Sequence, residues 1–187
     1  MPSSFSAALR ELAVTAERVA TELEADMARA LAMVQATVRT GGTLFFCGNG
    51  GSAADAQHMA TEYVVRYMRN RRAYPALALT TDTSLLTAAG NDIGFENVFS
   101  RQVEALAKKG DLLIIHSTSG NSPNVLRAAE AAHAKGVQVL AFSARDGGAL
   151  RALADHSVGV PTDRTDRAQE LHLCIEHIIC DIVEQSL

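Results

Sequence analysis

Five short apolar runs, each separated from the next by a helix-like stretch, most constrain what this chain can fold into. They are Thr43–Cys47, Ala76–Leu79, Asp111–His116, Val137–Phe142 and Ser157–Val160. Runs this short and this continuously apolar read as strands buried on both faces. The helical stretches between them provide crossovers, so the strands are predicted to run parallel. Right-handed crossovers then give an α/β fold, a doubly wound five-stranded parallel sheet sandwiched by helices. Ligands on such sheets bind beyond the carboxyl ends of the strands, near the point where strand order reverses.

The helices have their own signals. Apolar residues from Leu9 to Val38 recur at helical spacing in an Ala-rich stretch, which predicts one long helix or two over about Phe5–Thr40, stopped by Gly41-Gly42. That is more helix than one core needs, and the spare apolar surface points to another subunit. Residues 1–40 are therefore expected to be a helical segment packing in an oligomer, and 41–187 the α/β domain, one domain overall. Further helices are predicted over Ser52–Met68, Thr83–Ala89, Phe95–Lys108, Gly148–Ala154 and Asp166–Ser186. Another starts at Ser122-Pro123, a hydroxyl cap followed by Pro at the first helical position, and stops at Gly136.

Bulk composition narrows the function. The 187 residues are 48% hydrophobic and 20% charged with a net charge of −4, which describes a globular chain without the broad basic surface of a non-specific nucleic-acid binder. The local run Arg66, Arg69, Arg71 and Arg72 reads as a solvated helix end or a subunit contact. No apolar run approaches the ~18 residues of a membrane span, and the first residues lack a signal peptide's pattern. Cys47, Cys174 and Cys180 have no metal-ligand spacing and read as buried small apolar residues. A cytoplasmic protein with no membrane partner is expected.

Two loops stand at carboxyl ends of predicted strands. The first runs Gly48-Asn49-Gly50-Gly51-Ser52, with glycines where the chain bends sharply and lets a ligand touch backbone. Ala53 stands where a dinucleotide fingerprint needs its third glycine, and no Lys follows as in a P-loop. The second runs Ser117-Thr118-Ser119-Gly120-Asn121-Ser122, four hydroxyls in six residues at a helix start. Hydroxyls and backbone amides at a helix N-terminus suit a phosphate monoester held without a cation. A plain strand-to-helix turn and cap is the alternative.

His58 and Glu62 lie four residues apart, on one face of the helix that the first loop starts. Such a pair can bind a divalent metal or move a proton. Gln169, His172, Glu176 and His177 lie on the last helix. Gln169 and His177 are separated by a rise of ~12 Å and a turn of ~80°. They can meet one small ligand by reaching toward each other, or if Gln169 precedes the regular helix. Otherwise they serve sites on different subunits. His172 and Glu176 read as surface or interface, and His116 and His133 as rim and surface.

Together the segments CGNGGSAADAQHMATE, ALTTDTSLLTAAGNDIGFENVFSRQVEAL, GDLLIIHSTSGNSPNV and DRAQELHLCIEH resemble the sugar isomerase (SIS) domain family, and within it the bacterial phosphoheptose isomerases. The resemblance covers nearly the whole chain. It implies an aldose–ketose isomerase that converts D-sedoheptulose 7-phosphate to D-glycero-D-manno-heptose 7-phosphate through an enediol, supplying ADP-heptose, lipopolysaccharide or related glycoconjugates. By that resemblance Ser52, Ser117, Thr118, Ser119 and Ser122 would hold the phosphate. Asn49, Gly50, Gly51, Asn91, Asp92 and Asp166 would hold the sugar. His58, Glu62, Gln169 and His177 would hold one zinc per subunit, with Glu62 as base and His177 as acid. The family also implies a homotetramer with active sites between subunits. A competing class is the non-catalytic SIS protein that associates with a replication initiator. As the family implies, those proteins lose the catalytic carboxylate and histidine, whereas Glu62 and His177 are both present here.

Overall fold

The computed structural model describes residues 4–186; residues 1–3 of the N-terminal segment lie outside it. All five expected strands form: β1 (Leu44–Gly48), β2 (Ala76–Ala78), β3 (Leu112–Ser117), β4 (Gln138–Ala144) and β5 (His156–Val160). They make one sheet in the order β2-β1-β3-β4-β5, and every pairing is parallel. The order reverses between β1 and β3, which are paired in register with Gly48 opposite His116. The two polar loops therefore leave the sheet side by side.

Eight helices cover the two faces among the described residues: α1 (Phe5–Glu22), α2 (Glu24–Thr40), α3 (Gly51–Val64), α4 (Thr83–Asp92), α5 (Ser100–Leu106), α6 (Pro123–Ala134), α7 (Leu150–Leu153) and α8 (Thr165–Ser186). Period-two alternation in the strands divides the core. Leu44, Phe46, Leu112, Ile114, Leu140 and Phe142 pack with α1, α2, α3 and α8. Phe45, Cys47, Leu113, Ile115, Val139 and Ala141 pack with α4 to α7 on the other face.

Of the two readings of the N-terminal stretch, one helix or two, the structure has two helices, meeting at Leu23. The second ends at Gly41 with φ +77°, and its N–H caps Thr37 and Val38 carbonyls. The helix after the first loop stops at Val64, four residues before Met68. The expected single helix over Phe95–Lys108 divides into a 3-10 turn, Phe95–Asn97, and α5. Cys47 and Cys180 are buried as expected, but Cys174 is exposed.

Candidate active site

The site grows from the start of α3 and α6. After β1 the chain turns through Gly50, at φ +57°, straight into α3. After β3 it passes through the hydroxyl loop into α6, whose cap residue Ser122 makes no side-chain cap hydrogen bond. A ligand can therefore claim that hydroxyl. Asn49 and Asn124 exchange two amide hydrogen bonds, of 2.9 and 2.8 Å, and so tie the first loop to the start of α6. Asn124 is 2% exposed; its tie was not legible in the sequence, because the partner lies 75 residues away.

Between the loops lies a pocket of ≈ 300 Å³. Asn49, Gly50, Gly51 and Ser52 form one wall and Ser117, Thr118, Ser119 and Ser122 the other, with Thr165 and Gln169 of α8 closing the side. Gly51 leaves room for Gln169, since a Cβ would stand 2.6–2.8 Å from its amide. Gly120, at φ +63°, lets the hydroxyl loop pack on the β4–α7 turn, where a Cβ would stand 1.8 Å from the Gly147 carbonyl oxygen. The structure also brings Arg145 and Arg164 beside Thr118 and Ser119. Both are neutralised, Arg145 by Asp163 at 3.1 Å and Arg164 by Glu11 and Asp166.

One wall further along α3 and α8 a second cluster forms. His58 Nε2 lies 3.2 Å from Glu62 Oε1 and 3.1 Å from His177 Nε2. One ligand atom from each residue lies within 4.8 Å of the others. Two imidazole nitrogens and a carboxylate oxygen suit zinc. Tetrahedral ligands at zinc bond lengths stand about 3.3 Å apart, close to the two separations that His58 makes. Burial, with His58 nearby, lowers the His177 ring below the ordinary histidine range despite the opposing pull of Glu62. All three side chains come from one chain. Gln169 lies within regular helix, with its amide 3.5 Å from Ser52 Oγ in the hydroxyl pocket. It thus sits at the other end of the α3–α8 contact from His177.

The remaining sugar candidates stand apart from the pocket. Asn91 and Asp92 are exposed at the end of α4, bonded to each other at 2.7 Å. Asp166 is exposed beside Thr165, and Arg164 holds its carboxyl down at about 2.

Under the pocket runs a buried polar row that the sequence reading misplaced. His116, expected at the rim, is 0% exposed, stacked near Phe46 and Phe142, with Nε2 2.7 Å from Glu176 Oε2. His172 and Glu176 are buried too, not surface residues. Burial pushes the His172 ring down to about 3 and leaves it neutral, with Nε2–H donating to the Ser143 carbonyl at 2.8 Å. Burial works against a charged His116, but Glu176 outweighs it and the ring is raised. Burial also raises the Asp55 carboxyl, one turn before His58. Helical period alone signals these sites: positions 172 and 176 share α8's inward face with Leu171 and Ile175.

Residues 9–144 match the SIS domain. Two relatives named phosphoheptose isomerase support this. That of Rhodospirillum rubrum is 49% identical over 161 residues, 86% of each chain, and that of Aliarcobacter butzleri is 47% identical over 185 residues, 97% of this chain and 98% of the other. The chain belongs to the SIS domain family, among its phosphoheptose isomerases. Solved phosphoheptose isomerases superpose closely on this SIS fold. The Neisseria gonorrhoeae structure has TM-score 0.91 at 42% identity and covers 96% of both chains; the Francisella tularensis structure has TM-score 0.93 at 34% identity and covers 97% and 96%. The five-stranded doubly wound sheet expected from the sequence is thus the SIS fold.

Proposed function

We propose that this chain is an aldose–ketose isomerase acting on D-sedoheptulose 7-phosphate to give D-glycero-D-manno-heptose 7-phosphate. One observation carries the reading: the Glu62–His177 cluster lies on the same two helices, α3 and α8, that line the hydroxyl pocket. An anchor for phosphate and a proton-moving pair on one helix pair fit a sugar phosphate handled at both ends. The relatives' shared name, at about half identity over nearly the whole chain, supports the same substrate. The presence and convergence of Glu62 and His177 weigh against the binding-only SIS class.

The phosphate sits on Ser52, Ser117, Thr118, Ser119 and Ser122, whose hydroxyls can donate to it beside the α6 N-terminus. Asn49, Gly50, Gly51 and Gln169 orient the sugar. Glu62 takes the C1 proton of the ketose as the C1=C2 bond forms. His177 gives a proton to the carbonyl oxygen from the ring nitrogen not turned to His58 and Glu62, which completes the enediol. Glu62 then returns its proton to C2, and the C1 hydroxyl gives its proton back to His177 as the aldehyde forms. Glu62 Oε1 faces His58, so Oε2 is left for carbon. His58, Glu62 and His177 would hold zinc, joined by Gln169 if its side chain swings along α8. Bound there, zinc supplies Lewis acidity toward the substrate oxygens. Asn91, Asp92 and Asp166 would complete the sugar site, and the active sites would lie between subunits of a homotetramer in the cytoplasm.

Purified protein given sedoheptulose 7-phosphate should form the aldoheptose phosphate. Glu62→Gln and His177→Gln should each lower kcat by about 10²–10⁴-fold with the far-UV spectrum unchanged. Wild-type protein that turns over no substrate, with or without zinc, would sink the assignment.

A further inference from the structure

The segment between α3 and β2 carries a device that the proposed chemistry does not use. Three successive backbone N–H groups, of Tyr67, Met68 and Arg69, donate to the Glu184 carboxylate at 2.8, 2.9 and 2.8 Å. Arg71 comes within 2.9 Å of the same carboxylate. Its other nitrogens donate to the Glu62 carbonyl at 2.7 Å and the Tyr63 carbonyl at 2.8 Å. The Tyr74 ring lies 4.2 Å under the guanidinium. Arg71 was expected at a solvated helix end or a subunit contact; instead it staples the end of α3 to α8. A carboxylate this buried needs several donors, and the segment supplies them all.

This anchoring has a geometric result. Glu184 lies seven residues after His177, two turns along one face of α8. A segment pinned at Glu184 therefore runs back along that face. The Tyr67 ring lands on His177, with centroids 5.1 Å apart and planes 13° apart. The His58 ring meets His177 edge-on, at 4.9 Å and 64°. An imidazole on a helix turns about two side-chain bonds, and contacts of this kind help hold its ring plane.

We propose that Tyr67 is a positioning residue for His177, and that the Arg71–Glu184 pair exists to place it. Stacking fixes the plane of the His177 ring, so that Nε2 faces His58 and Glu62. The role rests on the isomerase reading for its effect on turnover, but not for its effect on the ring. The phosphate pocket takes no part, so the loss should fall on kcat and not on KM.

The test uses full-length Tyr67→Ala and Tyr67→Phe. Tyr67→Ala should lower kcat about tenfold or more while KM stays within about threefold, and Tyr67→Phe, which keeps the ring, should restore at least about half of the rate. In metal-free protein, imidazole NMR should show the His177 ring signals shifted by the Tyr67 ring in wild type and in Tyr67→Phe, and averaged in Tyr67→Ala. Wild-type kcat in Tyr67→Ala overturns the proposal. So does a KM rise as large as the kcat loss, or a Tyr67→Phe defect equal to that of Tyr67→Ala. If the wild type proves inactive on heptose phosphate, the functional reading fails alone. The NMR then decides, and an unchanged His177 signal in Tyr67→Ala overturns the positioning role.

Discussion

Two glycines of the polar loops would respond differently to the same added methyl group. At Gly51 a Cβ meets the far end of Gln169, a flexible amide that can rotate away. At Gly120 it meets backbone, and φ there is +63°. Gly51→Ala should therefore raise KM several-fold by displacing Gln169, with a stability change under about 1 kcal/mol. Gly120→Ala should cost about 2–4 kcal/mol and disturb the hydroxyl loop as well. Thermal melts beside steady-state kinetics separate the two, and equal melting temperatures for both variants would refute the contrast. The need for glycine at the first turn was legible from Gly48-Asn49-Gly50-Gly51 because a strand-to-helix reversal demands it locally. The need at Gly120 was not legible, because its reason is Gly147, on a different loop.

Glu184 governs an element, the return from α3 to β2. Burial works to raise its carboxyl, yet the Tyr67, Arg69 and Met68 N–H groups and Arg71 outweigh it, and the group sits below the ordinary value of 4.5. A carboxyl depressed by folding contributes stability that is present above its unfolded value and lost as pH falls through its folded value. Glu184→Gln should thus cost about 3 kcal/mol at pH 7, and the gap from wild type should close as pH falls below 4.5. Denaturant melts at pH 7 and pH 3.5 check this, and a gap independent of pH would refute it. Sequence periodicity predicted the helices but ran α3 on to Met68, because Val64, Val65 and Met68 continue an apolar pattern. The carboxylate that draws off the N–H groups after α3 lies 117 residues away and leaves no local signal. The α1–α2 break at Leu23 likewise lacks a Gly or Pro to mark it.

The whole chain leaves apolar surface uncovered. On α1, Phe5 is 93% exposed and Leu9, one turn on, 65%. Ile178 and Ile182 do the same on α8 beside the His177 cluster. Static light scattering should give four times the 19.9 kDa chain mass, and Leu9→Asp, which disturbs no core of the single chain, should give smaller species. A monomeric wild type would refute the assembly. Sheet type, strand number and both loops were legible because they rest on local composition and period. The buried row of His116, His172 and Glu176 was misplaced because polar residues on an inward face look, one at a time, like surface.

The α3–α8 contact also orders events in time. His58 meets His177 across 119 positions, and Gln169 meets Ser52 across 117. Contacts of such separation pay their loop-closure entropy late. α8 follows all five strands, so a chain emerging from synthesis can lay down its sheet and both polar loops before it owns the His177 that meets His58. The protein is thus expected to acquire its proposed phosphate-binding loops first and its proposed proton-moving pair last. A ligand that bridges the two helices then holds an early helix to the last one.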